Sequence, residues 1–110
     1  MLSKSQISFI RALQQKKQRN EQQLFIAEGV KIVRELLLST YTIESLYYTA
    51  ELDTETLDLS AKVLKNDHIY EVSTVDMERI SALATPSTVL CVVKMPLELP
   101  LSYFSTAFEE

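Results

Sequence analysis

Between Ser3 and Val93, segments of helical period alternate with short, nearly continuous apolar runs, and this alternation limits the fold more than any other feature. Ser3-Lys4-Ser5-Gln6 has the capping-box form, a hydroxyl residue followed three positions later by Gln just before an apolar periodic run. Ile7, Ile10 and Leu13 fall on one side of a helical wheel with Phe9 beside them, which predicts a helix over residues 4–17. Residues 18–23 carry no apolar anchor and read as an exposed connection. Leu24-Phe25-Ile26-Ala27 has the length and content of a buried strand. Glu28-Gly29 follows, then Val30, Val33, Leu36 and Leu37 at helical spacing as far as Ser39. Ile43 to Thr49, β-branched and aromatic, predicts a second strand. Leu57, Ala61 and Leu64 place a helix over residues 54–65, and His68 to Val72 reads as a third strand. Ser73 can cap a helix carrying Val75, Ile80 and Leu83, and Val89 to Val93 is the most strand-like run of all.

This order predicts an α/β fold: a central sheet of four strands with helices on both faces, in three α/β/α layers. A length of 110 residues suits one domain, and an apolar content of 46% is enough to offset its ordering entropy. After Val93 the texture changes, with Pro96 and Pro100 breaking regular structure ahead of Tyr103, Phe104 and Phe108. Residues 1–95 therefore read as the domain, and residues 96–110 as a linker and the start of another unit that is missing.

Gly29 is the single glycine, where average usage of about 7% would give roughly eight. A P-loop or dinucleotide fingerprint needs several glycines to wrap main chain around phosphates, so both are excluded. One cysteine and one histidine make an intrachain disulfide impossible and a cysteine-based zinc cluster implausible. No apolar run approaches the roughly 18 residues of a membrane span, and the N-terminus turns amphipathic instead of forming a signal core. The expectation is a cytoplasmic domain without membrane contact.

The formal charge of −4 hides an asymmetry. Residues 1–34 hold seven basic and two acidic residues, a net of +5, whereas residues 35–110 hold four basic and 13 acidic, a net of −9. Lys4, Ser8, Arg11 and Gln15 follow one another at spacings that line the polar side of the predicted first helix, and Lys16, Lys17 and Arg19 come next. Such side chains bind phosphates by charge and by counterion release, and Arg19 can grip one bidentately. A solvated helix face with cations placed favourably at its C-terminus accounts for the same pattern, so both readings stand.

No catalytic set emerges. His68 beside Asp67 reads as a turn or strand-edge histidine, and Cys91 within an apolar strand as an inert buried thiol. Tyr41, Tyr47, Tyr48 and Tyr70 could stack on bases, but three of them fall in or beside strands, where core packing is expected.

Arg19, Phe25, Ile26, Glu28, Gly29 and Lys31 together resemble a signature, Arg…Phe-hydrophobic-x-Glu-Gly-x-Lys, of one family. It is the N-terminal substrate-binding domain of the SpoU/TrmH-type RNA ribose 2′-O-methyltransferases. A second resemblance lies in Val72-Ser73, Ile80-Ser81 and Thr85-Pro86 ahead of the strand Val89 to Val93. The matches run in order over residues 3–94, with Ser87-Thr88 standing where the family usually has Gln-Gly.

The resemblance implies a compact α/β/α domain like certain small RNA-binding ribosomal proteins. It implies a role in recognising structured RNA, ribosomal or transfer RNA, with Lys4, Arg11, Gln15, Lys16, Lys17, Arg19 and Lys31 as the candidate contacts. Phe25, Glu28, Gly29, Thr85 and Pro86 would be structural, and Glu28 could also orient Arg19. It further implies that S-adenosylmethionine and the methyl-transfer residues belong to a catalytic domain beyond residue 96. Full-length proteins would dimerise through that domain, with the present chain monomeric by itself. The alternative is a stand-alone RNA-binding or ribosome-associated protein without enzymatic activity; a protein-interaction domain using the acidic surface is a third reading.

Overall fold

The computed structural model of the chain describes residues 2–96. Its elements are α1 (Lys4–Ala12), α2 (Lys16–Gln22), β1 (Leu24–Glu28), α3 (Val30–Leu37), β2 (Ile43–Tyr48), α4 (Thr54–Val63), β3 (Ile69–Glu71), α5 (Thr74–Ile80) and β4 (Val89–Lys94), with a short 3₁₀ turn, Asn66–His68, before β3. The strands form one four-stranded sheet in the order β1-β4-β2-β3. β4 lies antiparallel to β1 and to β2, while β2 and β3 run parallel. The fold is thus the expected α/β arrangement, and β1 and β3 are its edges.

Each sheet face is covered. Phe25, Ala27, Leu46, Val89, Cys91 and Val93 pack with Val33, Leu36 and Leu37 of α3 and with partly buried Leu57 of α4. On the other face Tyr47, Leu90 and Val92 meet Ile10 and Leu13 from the α1 segment and Met77 and Ile80 of α5. Being central, β4 is buried on both sides, which is why Val89 to Val93 form an unbroken apolar run with no exposed member. Burying a side chain such as Ile10 or Leu13 contributes about 1.5–3 kcal/mol, and these two anchor α1 to its layer. The capping box forms as its residues predict: Ser3 Oγ accepts from the Gln6 amide at 3.1 Å, and Gln6 Oε1 accepts from the Ser3 amide at 2.9 Å.

Four local expectations need correction. The helix predicted over residues 4–17 ends at Ala12, and residues 18–23, read as a connection, mostly form α2. Leu13 is the last apolar anchor before Leu24, so nothing buried holds the helix straight beyond it, and α2 has no buried residue. On α4 the deeply buried face is Thr56 and Ser60, with Leu57 and Leu64 at its margin and Ala61 exposed. Those hydroxyls sit inside because local acceptors satisfy them: Thr56 Oγ1 donates to Asp53 at 2.8 Å and Ser60 Oγ to the Thr56 carbonyl at 2.8 Å. Finally, α5 buries Asp76, Met77 and Ile80, leaving Val75 and Leu83 exposed. Asp76 is tolerated there because it accepts from the Leu2 amide at 3.1 Å and faces Arg79 at 3.5 Å.

Of the predicted linker, residues 97–110, including Pro100, Tyr103, Phe104 and Phe108, lie outside the described residues.

Candidate nucleic-acid interface

Four of the residues that suggested a family, Arg19, Phe25, Ile26 and Glu28, line one cleft along β1. Glu28 ends the strand, and its carboxylate accepts from the Ser81 hydroxyl at 2.6 Å and from the Ala82 amide at 2.8 Å. Ser81 Oγ accepts in turn from the Leu83 amide at 3.0 Å, so one carboxylate fixes the turn that follows α5. Gly29 follows as the N-cap of α3 with φ +111° and ψ 148°, a conformation essentially reserved for glycine. A Cβ there would meet nothing within 4 Å, so backbone conformation, not close packing, demands the glycine.

Arg19 has a separate task. Its Nη1 donates to the carbonyls of Leu13 at 3.2 Å and Gln14 at 2.9 Å, groups left unpaired where α1 stops. The break between α1 and α2 is therefore closed by a guanidinium, which periodicity could not reveal. Glu28 and Arg19 do not bond to each other in the structure, but both line one cleft of about 590 Å³ with Leu13, Gln14, Ile26 and Leu83.

The break also regroups the basic residues. Lys4 and Arg11 stay together on the exposed side of α1, while Gln15 becomes the N-cap of α2 and no longer extends their row. Lys16 and Lys17 open α2, where a helix dipole offers cations nothing, so placement at a helix C-terminus does not explain them. Lys31 is exposed in the first turn of α3, two residues beyond Gly29 and on the opposite layer from α1.

Ion pairing engages three of the cations outside this set, while Lys62 and Lys65 have no acidic partner among the described residues. Arg34 lies 3.9 Å from Asp53, Arg79 3.5 Å from Asp76, and Lys94 3.6 Å from Glu44. Among the described residues, Lys4, Arg11, Lys17 and Lys31 have no acidic partner. Asp53 is also the N-cap of α4, and hydrogen bonds from the Thr56 amide and hydroxyl, more than Arg34, hold its carboxyl below the usual range.

The other candidates resolve into structural parts. Tyr47 is buried and stacks on Tyr70 with centroids 5.2 Å apart, and Tyr41 meets Phe25 edge-on at 6.1 Å. His68 Nδ1 donates to the Glu44 carbonyl at 2.8 Å, fastening the 3₁₀ turn to β2. Burial pushes the Cys91 thiol up to about 12, so it stays protonated and inert. Thr85 is exposed and Pro86 half-buried in the connection to β4. There Ser87-Thr88 needs no glycine, because neither residue has positive φ and Ser87 Oγ accepts from the Val89 amide at 3.4 Å.

Among the described residues no group of three His, Cys, Asp or Glu side chains could hold a metal, and no helix is long and apolar enough to cross a membrane.

A structure from Porphyromonas gingivalis assigned to the TrmH family of RNA methyltransferases is similar to this chain, with 33% identity and a TM-score of 0.74. The match covers 91% of this chain and 38% of that one. An rRNA methyltransferase from Sinorhizobium meliloti matches at 29% identity and TM-score 0.72, over 87% of this chain and 36% of its own. A further structure from that organism, at 28% identity, has AdoMet bound. The SpoU methyltransferase AviRb from Streptomyces viridochromogenes shares the fold at 18% identity and TM-score 0.67, over 89% of this chain and 35% of its own. The chain thus spans little more than a third of the length of these relatives. A comparison with functionally curated proteins finds no significant match. The model of the MRM3-like substrate-binding domain matches residues 4–91, and the chain belongs to that family, the substrate-binding domain of SpoU/TrmH RNA methyltransferases.

Proposed function

We propose that this domain recognises a structured RNA, ribosomal or transfer RNA, and presents it for S-adenosylmethionine-dependent ribose 2′-O-methylation by a catalytic domain outside the described residues. The carrying observation is that four exposed cations of the first 34 residues, Lys4, Arg11, Lys17 and Lys31, have no acidic partner among the described residues, in the part of the sequence that carries a net charge of +5. An array of unneutralised cations displaces counterions from a phosphate backbone and binds it without reading sequence. Tethering such a modest contact to a catalytic unit raises the effective concentration of RNA there.

The cleft beside β1 does not suit the cofactor. The one glycine caps α3, and the cleft beside it is walled by Arg19, Leu13 and Leu83, with the Glu28 oxygens already engaged. We assign methyl transfer and dimerisation to the catalytic domain, with the chain alone monomeric, and propose the cytoplasm as the setting.

Fluorescence anisotropy with a folded ribosomal RNA fragment over a salt series tests this reading. Affinity should fall steeply with salt, and replacing Arg11, Lys17 and Lys31 together by Ala should lower the log–log slope by about two to three. Absence of binding at low salt, or an unchanged slope in the triple variant, overturns it. The chain alone should not methylate the RNA with S-adenosylmethionine present.

A further inference from the structure

The cleft beside β1 has a floor that the basic residues do not explain. The Gly29 amide donates to the Val89 carbonyl at 3.0 Å, and the Met95 amide to the Gln23 carbonyl at 3.0 Å. These bonds fix the phase of the antiparallel β1–β4 ladder, in which Phe25 faces Val93 and Ala27 faces Cys91. Phe25 and Ala27 therefore spend their main-chain groups on β4, whereas Ile26 and Glu28 turn theirs to the outer edge. Among the described residues no backbone group bonds to Ile26 from that side. Ile26 is among the residues lining the cleft, and the ladder phase turns its amide and carbonyl together toward the free edge of the strand.

The walls suit a flat, polar-edged ring. Leu83 is a large apolar side chain left half exposed, at 50%. The Arg19 guanidinium is held by Nη1 on two carbonyls, leaving Nη2 and Nε without protein acceptors among the described residues. A protein strand adding to this edge would use Leu24 as well as Ile26 and Glu28, but Leu24 is not part of the cleft. Arg19 and the neighbouring α2 lysines also favour an anionic chain over a neutral peptide.

We propose that this cleft receives a single unstacked RNA base, read by the main-chain N–H and C=O of Ile26, with Leu83 and the Arg19 guanidinium as its stacking surfaces. The proposal rests on the RNA reading above and adds a base-reading subsite to its backbone contacts. It makes the domain select RNA with an exposed base over an uninterrupted duplex.

Amide NMR of the full chain, titrated at low salt with hexauridylate, hexaadenylate and a blunt-ended duplex, tests the assignment. Either single strand should shift the Ile26 and Ala82 signals, and the duplex should not. Leu83→Glu should weaken single-strand binding about tenfold and duplex binding less than twofold. Leu83→Ala, which removes apolar surface without adding charge, should show a smaller loss in the same direction. Shifts confined to Arg11 and Lys17, or equal losses for both kinds of RNA, overturn the base subsite while the RNA reading stands. If no RNA binds, that reading falls and the subsite with it.

Discussion

Glu28 and Ser81 are 53 positions apart in sequence, yet the carboxylate of one accepts the hydroxyl of the other at 2.6 Å. With the Ala82 amide at 2.8 Å as second donor, Glu28 ties the end of an edge strand to the turn after α5. Hydrogen bonds to charged groups contribute about 1.5–3 kcal/mol each, and partial exposure of this pair reduces that. Glu28→Ala should therefore destabilise the domain by about 2 kcal/mol in urea unfolding. Glu28→Gln, which keeps one acceptor for Ala82, should lose about half as much. A loss for Glu28→Ala below about 0.5 kcal/mol would show that water replaces both bonds.

Gly29 isolates backbone strain from packing. Its φ of +111° excludes side chains, while the space a Cβ would enter is open. Gly29→Ala should cost about 1–3 kcal/mol in thermal unfolding without changing the α3 amide pattern. A larger loss, with α3 disturbed, would mean that the chain had moved to relieve the strain.

The chain's periodicity revealed most of the architecture but not its punctuation. Val33, Leu36 and Leu37, and the run from Val89 to Val93, were legible because their buried faces follow the periods of a helix and of a doubly covered strand. The α1–α2 break was not, because it depends on Arg19 reaching back to two carbonyls, a contact with no periodic signature. The buried Thr56 and Ser60 were hidden for a related reason: polar residues read as solvent-facing unless a local acceptor satisfies them. At the site, Arg19, Glu28 and Gly29 stood out through the family signature. The outward main chain of Ile26 needed the strand order to become visible.

Thr49 offers a stabilising change. It is 3% exposed, and its hydroxyl is the one buried side-chain polar atom without a hydrogen-bond partner among the described residues. Leaving such a group unpaired costs about 1–3 kcal/mol, and valine has nearly the same shape. Thr49→Val should raise the urea midpoint, by about 0.5–1 kcal/mol in stability once local relaxation is allowed for. A destabilised variant would instead point to a hydrogen-bonded water at Thr49.

Cys91 makes alkaline stability predictable in sign. Burial raises its thiol from 9.0 to about 12, so the folded state keeps the proton that the unfolded chain releases above pH 9. The unfolded state then binds fewer protons, and stability falls with a slope approaching about 1.4 kcal/mol per pH unit between those values. Cys91→Ala should lose this component of the slope, measured by urea unfolding at pH 8 and pH 10.5. Ellman's reagent should modify the native thiol only after denaturant is added.

Arg11 and Lys31 provide a geometric test of the RNA surface, because they stand on opposite layers of the fold, Arg11 on α1 and Lys31 at the start of α3. Both are exposed, and neither has an acidic partner among the described residues, so reversing either charge should leave stability within about 0.5 kcal/mol. An RNA wrapping the β1 edge touches both layers. Arg11→Glu and Lys31→Glu should then each weaken binding to a folded RNA several-fold at low salt, with the difference vanishing at high salt. An RNA lying against α1 alone would respond to Arg11→Glu and ignore Lys31→Glu. That outcome would confine the interface to one layer and remove Lys31 from it.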